Sequence, residues 1–264
     1  MSKINLMAGV KCVSFATRTQ ILGWRVIMSG IKLFCLPYAG GSAAIYSKWS
    51  KLLDGAIKLY PFELAGRAGR YREPYYNTIN EAVDDIVKML EEECRGGEYA
   101  VWGHSLGSIL AYETICRLQE KSLKQPVHVF FSGRYPPSVR KEDRNLHSLP
   151  EPEFEKEALK LGGIPDNLLR MEGLLRSAMQ TLRADYKLLE TYEPNSLKRK
   201  FDFNISVFAG KDDDLAQRAD MNKWRNYCGR QCNFYYFEGG HFYLHKHACE
   251  ITRIINDTLV VCNI

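Results

Sequence analysis

Short apolar runs alternate with amphipathic segments along most of the chain. Strand-like runs occupy residues 31–36, 57–62, 98–102, 127–132, 205–209 and 233–237, and helical patterns occupy residues 80–94, 106–121 and 247–260. Strands that alternate with helices are typical of a mostly parallel sheet covered by helices on both faces. The pattern therefore predicts an α/β fold whose core spans residues 30–133 and 201–264.

The alternation stops between residues 134 and 200, where no convincing strand pattern occurs. Helical runs appear there at Glu153–Leu161 and Leu174–Leu189. We interpret residues 134–200 as a helical lid inserted into the core, because a lid excludes water from a reaction site and can open for a large substrate. The alternative is a structural layer of helices that never moves.

The segment Gly103–Gly107 reads G-H-S-L-G and lies directly between a strand pattern and a helix pattern. In this context G-x-S-x-G predicts a nucleophile elbow, a strained strand-to-helix turn that exposes its serine. The two glycines let the strand and the helix approach closely. Ser105 is therefore the candidate nucleophile, and an ordinary glycine-rich turn is the alternative.

A serine nucleophile requires a base that takes its proton and a carboxylate that orients the base. In this fold both follow the serine along the chain, the acid before the histidine, on loops after later strands. His241 fits the base, because Gly239 and Gly240 give its loop the freedom to bring the imidazole over the elbow. A solvated loop histidine is the alternative, and we expect His128 to be a buried strand residue.

Three adjacent aspartates follow the strand pattern at residues 205–209 and are candidates for the acid. The spacing G-x-x-D, counted from Gly210, favours Asp213. Asp212 and Asp214 remain alternatives, or exposed charges that cap the loop.

Acyl transfer also requires backbone amides that point at the developing oxyanion. One such donor is the amide of Leu106, directly after the candidate nucleophile. The first strand pattern leads into the glycine-rich turn Pro37–Ser42, and we place the second donor at Ala39. The alternative is a glycine-rich connection without a ligand.

Six segments of the chain together resemble the type II thioesterases that accompany nonribosomal peptide and polyketide synthases. The segments are Leu36–Ala43, Leu64–Arg67, Gly103–Gly107, Ser132–Gly133, Leu182–Tyr186 and Gly239–Phe242. The resemblance runs from residue 31 to the C-terminus and implies the α/β-hydrolase fold. Members of this family remove misloaded or stalled acyl groups from the phosphopantetheine arms of carrier domains.

The resemblance implies that Ser105, Asp213 and His241 form a catalytic triad, with the amides of Ala39 and Leu106 as the oxyanion hole. It implies a two-step acyl transfer, in which Ser105 attacks the thioester and water then hydrolyses the acyl-serine. We expect no metal and no organic cofactor, because the phosphopantetheine belongs to the substrate. Acyl or peptidyl carrier domains are the expected partners.

Other functions remain open from the sequence. Vertebrate medium-chain fatty-acid thioesterases share much of the same pattern, so a medium-chain fatty-acyl carrier thioesterase is one alternative. A general carboxylesterase or lipase with the same triad is another, and a non-enzymatic binding protein on a hydrolase fold is a third. The loop Leu64–Arg70 departs from the family's P-G-R-G sequence by losing the proline and inserting an alanine. We expect this change to affect substrate access and not the triad.

Length and composition agree with a single α/β domain, since the chain has 264 residues, 45% hydrophobic and 25% charged. Its apolar stretches are only of strand length, so no membrane span is expected. The net charge of +5 lacks the clustered pattern of a nucleic-acid site. Its sign suits an acidic partner, and the candidate docking clusters are Arg67, Arg70 and Arg72, or Lys198–Lys200. Both clusters also fit ordinary surface charge.

The eight cysteines show no disulfide framework and the chain has no evident secretory signal, so we expect reduced thiols and a cytoplasmic location. We also expect a monomer. Cys228 and Cys232, followed by irregularly spaced histidines, match structural zinc sites only weakly. Residues 1–29 carry basic residues and no acid, but lack the order of a targeting signal. We interpret them as a dispensable N-terminal extension without fixed structure, with an organelle signal as the alternative.

Overall fold

The six strand patterns form one parallel sheet. A computed structural model describes residues 30–139, 145–162, 171–194 and 200–260. The strands are β1 (Ile31–Leu36), β2 (Ile57–Pro61), β3 (Tyr99–His104), β4 (His128–Ser132), β5 (Asn204–Gly210) and β6 (Cys232–Phe237). Their order is β2-β1-β3-β4-β5-β6, and every neighbouring pair is parallel. The predicted α/β class is confirmed.

Helices connect and flank these strands. The α-helices of the described residues are α1 (Ile79–Glu93), α2 (Leu106–Glu120), α3 (Glu151–Leu161), α4 (Glu172–Glu190), α5 (Arg218–Met221), α6 (Tyr243–Lys246) and α7 (Ala248–Val260). Helix α1 begins after Thr78, whose side chain accepts the amide of Glu81, while the Glu81 carboxylate accepts the amide of Asn77. The first bond satisfies an amide that the first turn leaves without a helical partner, and the second holds the residue before the cap.

Two hydrophobic clusters cover the two faces of the sheet. Phe34 of β1 belongs to the cluster that contains α1 and α2, whereas Leu33 belongs to the cluster that contains α7 and the 3₁₀ helix Ala43–Lys51. Neighbouring strand residues thus alternate between two buried faces, as the period of two residues in a strand requires. Burial on both faces explains why the strands read as continuous apolar runs.

Helices α3 and α4 lie in the segment predicted as a lid. They share a third hydrophobic cluster, which includes Phe154 of α3 and Leu182 of α4. The described residues between β4 and β5 contain no strand, in agreement with the sequence pattern. The division into core and lid remains a prediction. The described residues do not include the predicted N-terminal extension, residues 1–29, or two members of the second candidate docking cluster, Lys198 and Arg199.

The bounds of the elements differ little from those predicted. One difference lies at the C-terminal end, where the helix pattern at residues 247–260 is preceded by the separate turn α6, and α7 begins only at Ala248. In the described ranges, no helix combines the length and apolarity needed to cross a membrane.

Candidate active site

Four loops that follow parallel strands carry the candidate site residues. Ala39 follows β1, Ser105 follows β3, Asp213 follows β5 and His241 follows β6. Because all these strands are parallel, their carboxyl ends meet at one edge of the sheet, where ligands of α/β folds bind. Ala39, Ser105 and His241 line one cavity of about 230 Å³ there.

The turn at Ser105 has the strained geometry of a nucleophile elbow. Ser105 has φ of +56°, which is uncommon for a residue other than glycine. A Cβ atom on Gly103 would lie 2.1 Å from the carbonyl oxygen of Gly107, and one on Gly107 would lie 2.3 Å from that of Leu36. Only glycine allows β1, β3 and α2 to approach this closely, so the backbone agrees with the predicted turn.

A network of buried hydrogen bonds connects the elbow to neighbouring parts of the fold. The amide of Ser105 donates to the carbonyl of Ser132 at the end of β4, 2.8 Å away. The Ser132 hydroxyl lies 2.7 Å from Nδ1 of His104 and 2.6 Å from the Tyr243 hydroxyl. These bonds join the elbow to the neighbouring strand and to α6.

A second histidine lies close to His241 in this network. The rings of His104 and His241 have centroids 5.0 Å apart. Burial lowers the pKa of His104 well below its ordinary value, and the proximity of His241 and His245 lowers it further. His104 is therefore uncharged near neutral pH and is a poor proton acceptor, which leaves His241 as the better candidate base.

Asp213 is the aspartate that contacts His241. Its Oδ2 atom lies 2.8 Å from Nδ1 of His241, and its Oδ1 atom accepts the amide of Leu215 at 2.9 Å. The Asp213 side chain has no exposed surface, whereas Asp212 and Asp214 are exposed. Of the three alternatives left by the sequence, Asp213 has the geometry of an acid that orients a base.

The backbone amides of Ala39 and Leu106 have no hydrogen-bond acceptor among the described residues. Within the turn after β1, the next two amides are both engaged: that of Gly40 donates to Asp185 at 2.7 Å, and that of Gly41 to the carbonyl of Tyr38 at 2.9 Å. The two amides predicted for the oxyanion hole are thus available for a ligand, whereas those of Gly40 and Gly41 are not.

Residues of the predicted lid form much of the cavity wall. Leu146, Leu161, Leu182 and Leu189 supply apolar surface, and Tyr186 lies among them. Such a wall suits the hydrocarbon part of an acyl group.

Charged residues also line the cavity. The guanidinium of Arg134, at the end of β4, packs 4.4 Å from the ring of Tyr135, and no carboxylate of the described residues pairs with it. Asp214 is exposed and lines the same cavity. Arg134 was not a candidate site residue in the sequence, although it follows a strand of the predicted parallel sheet and that position could have indicated it.

Of the candidate docking cluster Arg67, Arg70 and Arg72, which could equally be ordinary surface charge, Arg67 does not fit a docking role. Arg67 is only 6% exposed and is paired with the buried Asp185 of α4. Arg70 pairs with Glu73 and Asp85. The loop after β2 turns Arg67 inwards, so its charge is not presented to a partner.

One feature of the sequence indicates that Asp185 has a buried partner of opposite charge. Asp185 is a carboxylate on the apolar face of α4, three residues after Leu182 and three before Leu188, and both leucines are buried. A charge at such a position requires a partner. The segment Leu182–Tyr186 contributed to the family resemblance, but no role for Asp185 followed from it.

Comparisons with known proteins identify the family. Residues 31–259 match the Thioesterase domain family. The thioesterase PikA5 of Streptomyces venezuelae is 33% identical over 235 residues, which cover 88% of this chain and 82% of the relative. The medium-chain S-acyl fatty acid synthase thioesterase of Rattus norvegicus is 30% identical over 220 residues, which cover 81% of this chain and 82% of the relative.

Solved structures give the same result. ClbQ, from the colibactin NRPS/PKS pathway, superimposes with a TM-score of 0.84 at 35% identity, covering 88% of this chain and 98% of ClbQ. The type II thioesterase BorB, from the borrelidin biosynthetic cluster, superimposes with a TM-score of 0.79 at 28% identity, covering 88% of this chain and 93% of BorB. The resemblance to type II thioesterases and the α/β-hydrolase fold are thereby confirmed, and the chain belongs to the thioesterase family of hydrolases that cleave thioester bonds.

Proposed function

We propose that this thioesterase releases misloaded or stalled acyl groups from the phosphopantetheine arms of acyl or peptidyl carrier domains. The observation that carries this substrate class is the similarity, over most of both chains, to proteins named for nonribosomal peptide and polyketide pathways. The assignment of the chemistry to named residues rests on the elbow, the Asp213–His241 contact and the two available amides beside one cavity.

The first half of the reaction acylates Ser105. His241 takes the proton of the Ser105 hydroxyl while its oxygen attacks the thioester carbonyl carbon, and Asp213 keeps Nδ1 of the imidazole oriented. The carbonyl oxygen becomes an oxyanion that accepts the amides of Ala39 and Leu106. Collapse of this intermediate breaks the carbon–sulfur bond, and His241 returns its proton to the leaving thiolate of the arm.

The second half hydrolyses the acyl-serine. Water replaces the thiol, His241 takes a proton from it, and the hydroxide attacks the same carbonyl carbon. Collapse now breaks the bond to Ser105, whose oxygen regains a proton from His241, and the free acid leaves. Neither half requires a metal or an organic cofactor, and the phosphopantetheine enters as part of the substrate.

The predicted lid has a specific part in this proposal. Helices α3 and α4 place apolar side chains over the cavity, so the acyl group lies against Leu182 and Leu189 during both halves. Exclusion of bulk water strengthens the hydrogen bonds to the oxyanion. We propose that the enzyme acts as a monomer that receives one carrier domain at a time.

A second candidate is the medium-chain fatty-acyl carrier thioesterase. The observation in its favour is the 30% identity to the rat medium-chain enzyme over most of both chains. The two candidates share the triad and differ in acyl chain, so a series of chain lengths on one carrier protein separates them.

The test measures acyl release from an acetyl-loaded carrier protein beside hydrolysis of the matching free thioester and a simple oxygen ester. We expect markedly faster turnover of the carrier-bound substrate, and loss of that turnover in Ser105→Ala and His241→Ala. Equal or faster turnover of the free esters would indicate a general esterase. A preference for eight- to twelve-carbon chains on the carrier, of about tenfold or more over acetyl, would favour the fatty-acyl candidate.

A further inference from the structure

A buried ion pair holds the turn that carries Ala39. The Asp185 carboxylate accepts two bonds of 2.6 Å from the Arg67 guanidinium and one of 2.7 Å from the amide of Gly40. Arg67 also donates to the carbonyl of Gly41 at 3.0 Å. We call Asp185, Arg67 and these two backbone groups the clamp.

The clamp joins three separate parts of the fold. Asp185 lies on α4, Arg67 lies in the loop after β2, and Gly40 and Gly41 lie in the turn after β1. Leu182, one helical turn before Asp185, packs against the same turn, since a Cβ atom on Gly40 would lie 2.9 Å from its Cδ1. Helix α4 therefore fixes the turn both by charge and by packing.

The clamp is connected to the amide of Ala39 through the backbone of Gly41. Arg67 holds the carbonyl of Gly41, and the amide of Gly41 donates to the carbonyl of Tyr38 at 2.9 Å. The Tyr38 carbonyl and the Ala39 amide belong to one planar trans peptide, so they point in opposite directions. Fixing the Tyr38 carbonyl therefore fixes the direction of the Ala39 N–H bond.

Burying the two charges of the clamp costs desolvation free energy, so the clamp contributes little net stability to the fold. The side chains of Arg67 and Asp185 are 5% and 1% exposed, and burying such a pair is often no more stabilising than apolar packing. Burial alone would lower the pKa of Arg67, but the Asp185 carboxylate, with smaller contributions from Glu63 and Tyr75, more than offsets burial, and the pKa is raised. What a bidentate, fully buried pair supplies is fixed geometry.

We propose that Asp185 and Arg67 are positioning residues that orient the Ala39 amide as an oxyanion donor, and do so only while α4 is docked on the core. The inference rests on the proposed function, because it takes Ala39 as a donor to the oxyanion. The clamp also makes the position of the lid helix α4 a condition for a complete oxyanion hole. Displacement of α4 around Asp185 removes the acceptor of Gly40 and releases the turn, so an open lid leaves the oxyanion hole incomplete.

The test compares Arg67→Lys, Asp185→Asn and the double variant Arg67→Met with Asp185→Leu. The double variant removes both charges together, so it avoids leaving one buried charge without its partner. For each variant that melts in one cooperative transition, we expect kcat on the acetyl-carrier substrate to fall about 10- to 100-fold. The Michaelis constant should change by less than about twofold, because the Ala39 amide binds the oxyanion of the transition state much more strongly than the neutral carbonyl of the bound thioester.

A transition-state analogue separates positioning from a merely structural role. An alkyl trifluoromethyl ketone forms a bond from Ser105 to its carbonyl carbon and places an oxyanion in the hole. Its inhibition constant should rise by the same factor by which kcat/KM falls. Arg183→Met provides the control, because Arg183 joins α4 to the carbonyls of His147 and Leu149 and does not touch the turn. That control should lower the melting temperature with less than about twofold change in the inhibition constant.

The outcomes separate the inference from the proposed function. Folded clamp variants with wild-type kcat and inhibitor affinity would overturn the inference while leaving the triad intact. A folded Ser105→Ala protein with normal turnover would overturn the proposed function itself. Wild-type kcat in the double variant would mean that the two charges only neutralise each other, and it would overturn the inference.

Discussion

The Nδ1 atom of His241 lies 2.8 Å from Oδ2 of Asp213, a carboxylate with no exposed surface. The other oxygen of Asp213 is held by the amide of Leu215. With both oxygens engaged, the carboxylate cannot rotate away, and the imidazole keeps one ring orientation. Asp212, one residue earlier, is exposed to solvent and has no such contact in the described structure.

The first prediction concerns this acid. Asp213→Asn should lower kcat by about three to four orders of magnitude, because an amide cannot hold the imidazole in the required tautomer. Asp212→Asn is the matched control and should stay within about threefold of the wild type. Steady-state kinetics on the acetyl-carrier substrate measure both. An equal or larger loss at Asp212 or Asp214 would reassign the acid.

The second prediction concerns the close approach behind the elbow. Gly107→Ala places a methyl group 2.3 Å from the carbonyl oxygen of Leu36, and neither backbone can yield without moving β1 or α2. We expect the free energy of unfolding to fall by about 3 kcal/mol or more.

Gly55→Ala is the control for that substitution. Gly55 is exposed, and an added Cβ atom there meets nothing within 4 Å. It should change the free energy of unfolding by less than about 0.5 kcal/mol. Urea denaturation measures both variants, and similar midpoints for the two would contradict the close packing of strand and helix at Gly107.

The strands and the strained turn at Ser105 were predictable because local sequence carries their signals. Burial on both faces makes each strand a short apolar run, as in the sequence of β4, and a strained turn requires small residues around Ser105. The contact between Arg67 and Asp185 was not predictable, because 118 residues separate them. Spacing along the chain gives no distance between an arginine in one loop and an aspartate on a distant helix.

The third prediction concerns Glu190 at the end of α4. Its carboxylate accepts the amides of Leu146 and His147 at 2.7 and 2.9 Å, and Nδ1 of His147 lies 2.6 Å away. Glu190→Ala leaves two amides without this acceptor, which should cost about 1 to 3 kcal/mol locally. Hydrogen exchange of the amides of Leu146 and His147 should accelerate correspondingly.

Glu193 supplies the comparison for Glu190. It is exposed, follows the same helix, and makes no hydrogen bond or ion pair within the described ranges. Glu193→Ala should leave the exchange of both amides unchanged. Unchanged exchange in Glu190→Ala as well would mean that the short helix Leu146–Ser148 does not depend on the carboxylate.

The last prediction concerns acid stability and His128. His128 is buried in β4 with Nε2 3.0 Å from the Ser206 hydroxyl, and burial lowers its pKa from 6.5 to about 4. Between these values the unfolded chain binds a proton that the folded protein does not, so folding becomes less favourable as pH falls. The slope from this residue approaches about 1.4 kcal/mol per pH unit, and His104, also shifted downwards by burial, adds to it.

His128→Gln isolates the contribution of one histidine. The carboxylates and His104 titrate in both proteins, so they cancel in the difference between the two pH profiles. Urea unfolding between pH 4.5 and 7 should therefore show a smaller loss of stability on acidification in the variant, by up to about 1.4 kcal/mol per pH unit below pH 6.5. Because the measured quantity is a slope, a constant cost of placing glutamine in the strand does not affect it. Parallel profiles would mean that His128 takes up its proton equally well in the folded and unfolded chains, and that its burial does not oppose its charge.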